Sequence, residues 1–229
     1  MNDDIYLLVI SPHPDDCEFG ISGTVAKLAG EGKQTVYIIC TNGDKGTSDR
    51  TLTSEKLAAI REKEQLAAAQ VLGVKEVVFL RYPDQHLEDC DEFRMDLCRQ
   101  IRRFKPVVVA TTDPHRKYVW HRDHRICGTV TADAVFPFSR DFLAYPQLIK
   151  EGLEPHKAKE MWFWGTEEPN LKIDITATIE KKMAALACHK SQFDFTPEMR
   201  QRMMEFAGIN AKGENFEFAE AFHRVELRP

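Results

Sequence analysis

IYLLVISPHPDDCEFG, residues 5–20, changes character in its middle. Residues 5–10 form a short apolar run, the pattern of a strand buried in a parallel sheet. Within three residues the run gives way to His13, Pro14, Asp15, Asp16 and Glu18. Ionisable side chains in that position suit an open α/β sheet, where ligands collect at the carboxyl ends of the strands.

The pattern continues outward from this stretch. Residues 20–30 read as a helix with Val25, Leu28 and Ala29 on one face, and TVYIIC at 35–40 reads as a strand. Residues 41–53 are a polar loop with Asn42-Gly43 and Lys45-Gly46 turns. Ser54 opens a long helix whose predicted core positions are Leu57, Ile60, Ala67, Ala68 and Val71, with Gly73 as its C-terminal cap. Further strands are expected at 77–80 and 107–110, and helices at 91–104 and 126–134. Strands alternating with helices imply right-handed crossovers and a doubly wound α/β fold with a mostly parallel sheet. After about Phe136 the pattern becomes irregular. Strands are expected at 161–164 and 171–175, and helices at 176–189 and 197–206. No linker, repeat or low-complexity segment interrupts the chain, so a single domain over 1–229 is expected.

The totals exclude several classes. The chain has 229 residues, with 31 Lys and Arg against 36 Asp and Glu, a net charge of −5. That balance argues against a general nucleic-acid binder. No apolar run approaches the roughly 20 residues of a membrane span. The acidic start MNDD is unlike the basic start of a signal peptide, so a cytoplasmic location is expected. Six scattered cysteines with no CxxC pair read as buried free thiols, Cys17 included.

A second polar cluster, His121-Arg122-Asp123-His124, follows the strand at 107–110. In the common strand orders the first strand neighbours a later one where the order reverses, so both clusters are expected on one rim. His13, Asp16 and His124 would supply two nitrogens and one oxygen, a suitable set for catalytic Zn²⁺. Asp15 and Asp16 are adjacent. In an extended segment their side chains diverge, so one can hold metal while the other takes a proton from water. His121 and His124 are three apart and share a face on a helical first turn, which lets His121 act as an acid or oxyanion stabiliser. Asp123 is placed to orient His121 or a neighbour. Gly20-Ile-Ser-Gly23 does not fit GxGxxG, so a dinucleotide site is not supported.

HPDDCE at 13–18 together with HRDHR at 121–125 resembles the paired HPDDxE and HxDH motifs of the PIG-L/LmbE-like zinc N-deacetylases. TNGDKGT at 41–47, IREKE at 60–64, LGV at 72–74, YPD at 82–84 and CHKSQF at 188–193 resemble family segments in family order. The resemblance implies a Rossmann-like fold and removal of an acetyl group from an N-acetylglucosamine-type conjugate. It implies His13, Asp16 and His124 as zinc ligands, Asp15 as general base, and His121 as oxyanion stabiliser or proton donor tuned by Asp123. It further implies Arg61 and Asp84 as contacts to sugar hydroxyls and His189 as a residue lining the site. Relatives often form homo-oligomers, and the same is expected here.

Trp120 departs from the smaller or polar residues often found before the second motif, and reads as a stacking wall for the sugar or as a residue packed under its own loop. Two other readings share the ligand set. One is a non-haem Fe(II) enzyme, which uses two histidines and a carboxylate. The other is a sugar-binding relative without turnover. The aglycone is not encoded in any motif.

Overall fold

The computed structural model describes residues 4–118 and 121–228. Its elements run β1 (Ile5–Ser11), α1 (Asp16–Gly20), α2 (Ser22–Gly30), β2 (Gln34–Thr41), α3 (Ser54–Leu72), β3 (Glu76–Tyr82), α4 (Asp91–Phe104), β4 (Val108–Thr112) and α5 (Arg122–Asp133). A π-turn (Ala134–Phe138) leads to α6 (Pro146–Lys150), β5 (Glu160–Trp164) and β6 (Leu171–Asp174). A 3₁₀ turn (Thr176–Thr178) then leads to α7 (Ile179–Leu186), α8 (Pro197–Asn210) and β7 (Ala219–Glu226). The seven strands form one sheet in the order β3-β2-β1-β4-β5-β7-β6. The first five are parallel, and β7 lies antiparallel between β5 and β6.

Both faces of the sheet are covered, which explains the continuous apolar run of β1. Leu8 and Ile10 face a core with Phe93, Leu97 and Ile101 of α4 and Val130 of α5. Leu7 and Val9 face the other layer, with Val25 and Leu28 of α2, Ala68 and Leu72 of α3, and Ala185 of α7. A smaller cluster, including Ile179, Met183, Leu186 and Ala207, joins α7 to α8. The expected α/β architecture is therefore observed, and the order reverses between β1 and β4 as the topology argument requires. Among the described residues, no helix is long and apolar enough to cross a membrane.

Four differences from the sequence reading have physical causes. The helix expected at 20–30 is two helices, broken at Ile21 (φ −145°, ψ 1°), and the first already begins at Asp16. Helix α5 begins at Arg122 rather than near 126, because its first turn is polar and an apolar period cannot reveal it. In α3 the inward stripe is Leu57, Arg61, Gln65, Ala68 and Leu72. The expected core positions Ala67 and Val71 are exposed. Two polar residues occupy core-facing positions because this face of the helix runs under the β1 rim. Finally, the irregular C-terminal part contains a further strand, β7, in which buried Glu220 interrupts the alternation that marks a strand.

Glu220 explains why β7 is held where it is. Its two carboxylate oxygens accept hydrogen bonds from the backbone N–H groups of Gly23 (2.9 Å) and Thr24 (2.8 Å), at the positive end of α2. The Lys182 ammonium on α7 donates to Glu220 Oε1 (2.7 Å) and to the carbonyls of Glu18 and Phe19 (2.8 Å each). This buried clasp ties the end of the chain to α1 and α2.

Gly128 sets how closely α5 approaches the end of β4. A Cβ built at Gly128 would lie 2.5 Å from the Thr112 carbonyl oxygen and 2.8 Å from Pro114 Cδ. Gly128→Ala would gain about 1 kcal/mol of helix propensity, but overpacking against backbone costs roughly 1–3 kcal/mol. The clash is expected to dominate, lowering the urea midpoint of Gly128→Ala at unchanged m-value. A midpoint equal to or above that of the parent protein would show that α5 can move away.

Candidate metal centre and active site

Asp15 and Asp16 diverge, but not in an extended segment. Asp15 takes a left-handed conformation (φ 90°, ψ −29°), which Asp tolerates better than most residues, and Asp16 is the first residue of α1. The Asp15 carbonyl accepts from Glu18 N (2.9 Å) and Phe19 N (3.2 Å), closing the first turn. This turn leaves the Asp16 carboxylate facing His13 and His124, and the Asp15 carboxylate facing Arg61.

Three donor atoms converge on one point. Asp16 Oδ2 lies 2.9 Å from His13 Nδ1 and 3.2 Å from His124 Nε2. Donors about 2.1 Å from a tetrahedral zinc stand roughly 3.4 Å apart, so the spacing suits a divalent ion with little movement. On the far side of the ring, His13 Nε2 faces Asp84 Oδ1 (3.1 Å) and Asp123 Oδ2 (3.3 Å). That arrangement matches the carboxylate–histidine–metal pattern, in which an outer carboxylate fixes the ring and raises its basicity. A second group, His13, Asp84 and His121, also brings ligand atoms within 4.8 Å of one another.

The electrostatics follow from this crowding. Burial pulls the His13 imidazole down, but hydrogen bonds with Asp123, Asp16 and Asp84 outweigh it and hold the pKa well above the usual value. Burial raises Asp16, yet His124 and His13 outweigh it and hold the carboxyl well below the usual range. Asp15 is pushed up to about 7 by burial and by the Asp16 charge, against the pull of Arg61, His189 and His13. Burial lowers His121, and the His13 charge lowers it further.

His121 is the N-cap of α5, and its Nδ1 accepts the backbone N–H of Asp123 (3.1 Å). An accepting Nδ1 in a neutral ring leaves the proton on Nε2, available as a donor. The Asp123 carboxylate acts on His121 through its charge, which raises the imidazole against burial and the His13 charge, while its hydrogen bonds go elsewhere. It accepts from Gln85 N (2.6 Å) and Leu87 N (3.2 Å) and braces His13.

The remaining expected residues are distributed differently. Arg61 is buried, with its guanidinium donating to Gly43 O (2.9 Å), Pro14 O (2.6 Å) and Asp15 Oδ2 (3.2 Å). Asp84 is buried too, and its backbone N–H donates to Asp44 Oδ1 (3.1 Å). His189 is fully buried and pairs through Nε2 with Glu18 Oε2 (3.0 Å), so it supports the site from behind rather than lining it. Glu18 Oε1 accepts from Gln65 Nε2 (3.0 Å), and Gln65 Oε1 accepts from Asp15 N (2.9 Å). Gln65 thus positions the left-handed Asp15, a role the sequence reading missed. Its signal was the spacing of four from Arg61, which places both on one helix face. Trp120 lies outside the described residues.

Residues 8–135 match the PIG-L family, described as GlcNAc-PI de-N-acetylase. That span exceeds half of the chain and contains both rim motifs. The chain belongs to the PIG-L family. Another protein similar to it is the diacetylchitobiose deacetylase of Thermococcus kodakarensis, 36% identical over 196 residues, covering 84% of this chain and 72% of that protein. A probable N-acetyl-alpha-D-glucosaminyl L-malate deacetylase 2 of Bacillus anthracis is 28% identical, covering 84% of each. Among solved structures, the N,N'-diacetylchitobiose deacetylase from Pyrococcus horikoshii matches with a TM-score of 0.91 and 33% identity, over 96% of this chain and 84% of that one. The PIG-L fold therefore extends beyond the matched span to the C-terminal strands.

The two candidate donor groups share His13 and differ in one histidine and one aspartate, and metal analysis can separate them. After loading with a divalent metal, His124→Ala is expected to fail to retain a metal equivalent, whereas His121→Ala retains it. Retention in His124→Ala together with loss in His121→Ala would transfer the ion to the Asp84 side of His13.

Proposed function

We propose that this PIG-L protein is a zinc-dependent hydrolase that removes the N-acetyl group of an N-acetylglucosamine-type conjugate. The observation that carries the reading is the convergence of His13 Nδ1, Asp16 Oδ2 and His124 Nε2 beside a second carboxylate, Asp15. The deacetylase names of the relatives support the substrate class.

Zinc held by His13, Asp16 and His124 would supply Lewis acidity, lowering the pKa of water and polarising an amide carbonyl. The chain's own groups provide the proton traffic. Asp15 takes the proton of the attacking water, with its carboxylate aimed by Arg61 and its backbone held by Gln65. His121 Nε2–H donates to the oxyanion that develops as water adds to the carbonyl, and then gives its proton to the departing amine nitrogen. Asp123 and Asp84 hold the ring of His13 from its outer nitrogen, so the metal-facing nitrogen keeps a fixed direction. The adjacent base favours hydrolysis over the Fe(II) oxygenase reading, which has no use for Asp15.

Asp15→Asn keeps the shape of the turn and removes the base. It is expected to retain one zinc per chain while kcat for acetate release from N,N'-diacetylchitobiose falls by about 10²- to 10⁴-fold. Turnover near the parent rate in the metal-loaded variant would remove Asp15 from this role.

A further inference from the structure

Residues 188–193, CHKSQF, handle no proton in this mechanism, yet they are fastened to the back of the site at two points. Ser191 donates from its backbone N–H (2.8 Å) and its hydroxyl (2.7 Å) to the two carboxylate oxygens of Glu64 on α3. His189 pairs through Nε2 with Glu18 Oε2 (3.0 Å). His189, Glu18 and Gln65 are all fully buried. The second ring nitrogen of His189, Nδ1, has no hydrogen-bond partner among the described residues. Leaving a buried nitrogen unpaired is costly. The ring is therefore turned by one polar contact, the one to Glu18, and a neutral ring carries its proton on Nε2 to make it.

That contact continues to Asp15. His189 occupies Glu18 Oε2, which leaves Oε1 to accept from Gln65 Nε2 (3.0 Å). With its NH₂ held there, Gln65 turns its carbonyl oxygen to the Asp15 backbone N–H (2.9 Å). The opposite turn of the amide would set NH₂ against N–H and carbonyl against carboxylate, losing both bonds. The Glu18 carboxylate thus decides which way the amide points. Asp15 needs that acceptor, because its left-handed backbone (φ 90°) is costly for a residue with a side chain. Arg61, one turn before Gln65 on α3, holds the other side of the same turn through Pro14 O and Asp15 Oδ2.

We infer that His189 is a positioning residue for the reaction. It holds Glu18 so that the Gln65 amide keeps the backbone turn that points the Asp15 carboxylate at the attacking water. The inference rests on Asp15 acting as the base. His189 moves no proton and touches neither metal nor substrate. The metal ligands His13, Asp16 and His124 lie outside this chain of bonds, so a break in it displaces the base and leaves the metal in place.

Two amides of different reach test this on the zinc-loaded protein, with acetate release from N,N'-diacetylchitobiose as the readout. In His189→Gln the amide nitrogen can take the place of Nε2, and kcat is expected to stay close to the parent value. In His189→Asn the nitrogen falls short of Glu18. There kcat is expected to fall about 10- to 100-fold with KM unchanged and the metal retained, the mark of a misplaced catalytic group. The decisive comparison repeats His189→Asn in the Asp15→Asn background. With no base left to position, it is expected to cost nothing further, whereas a general loosening of the fold costs the same in both backgrounds. His189→Leu, compared in the same two backgrounds, serves if His189→Asn does not fold. An equal loss in both backgrounds, or parent-rate turnover in His189→Asn, would overturn the inference and leave the hydrolase reading standing. A loss in His189→Gln as large as in His189→Asn would overturn it too. Parent-rate turnover in Asp15→Asn alone would remove the base assignment, and this inference with it.

Discussion

The parallel pairing of β1 with β4 is the constraint on which the site depends. Ile10 stands beside Thr111 in that ladder, so two chain segments about a hundred residues apart leave the sheet side by side. The first turns into α1 within a few residues, and the second reaches α5 after a longer connection. The first turns of these helices carry Asp16 and His124, and the residues just before them carry Asp15 and His121. A one-residue slip of the ladder would move one motif by about 3.3 Å relative to the other, more than a metal's coordination sphere tolerates. The apolar burial of β1 on both faces is what makes such a slip costly.

The same closeness creates an electrostatic problem. Asp16, Asp84 and Asp123 all lie within about 3.3 Å of the ring of His13, and Asp15 is next in the chain. Four carboxylates in a region largely withdrawn from water need positive charge. Arg61 meets part of the demand by reaching Asp15 from α3. His13 meets another part by holding its proton. A divalent ion at Nδ1 needs that nitrogen's lone pair, and Asp84 and Asp123 then keep the remaining proton on Nε2. The acidic surroundings therefore serve the occupied centre and the ring that orients it.

The first half of the fold was legible because its strands and helices follow apolar periods. The boundaries of α4 and the start and cap of α3 came directly from such signals. Reading failed where a polar residue occupies a buried position for a reason lying elsewhere in the chain. Arg61 and Gln65 spoiled the α3 stripe because they serve Asp15, and Glu220 hid β7 because it serves the start of α2. The pairing of the two rim motifs could be argued from topology. The direction of the Asp123 carboxylate could not, because it depends on the backbone of the 83–87 loop folding back to within hydrogen-bond reach. His189 shows the same limit: a segment can match a family pattern while the side chain's partner, Glu18, is legible only in three dimensions.

The clasp between Lys182, Glu220 and the α1–α2 junction gives the chain a temporal order. The carbonyls that follow the HPDD turn and the open amide groups of α2 find their partners only in residues 163 to 197 positions further along the chain. Contacts spanning nearly two hundred residues form late and slowly. A chain emerging from the ribosome carries its proposed catalytic carboxylates long before they can be fixed in place. Completion of β7 therefore acts as a closing stitch on the junction of α1 and α2.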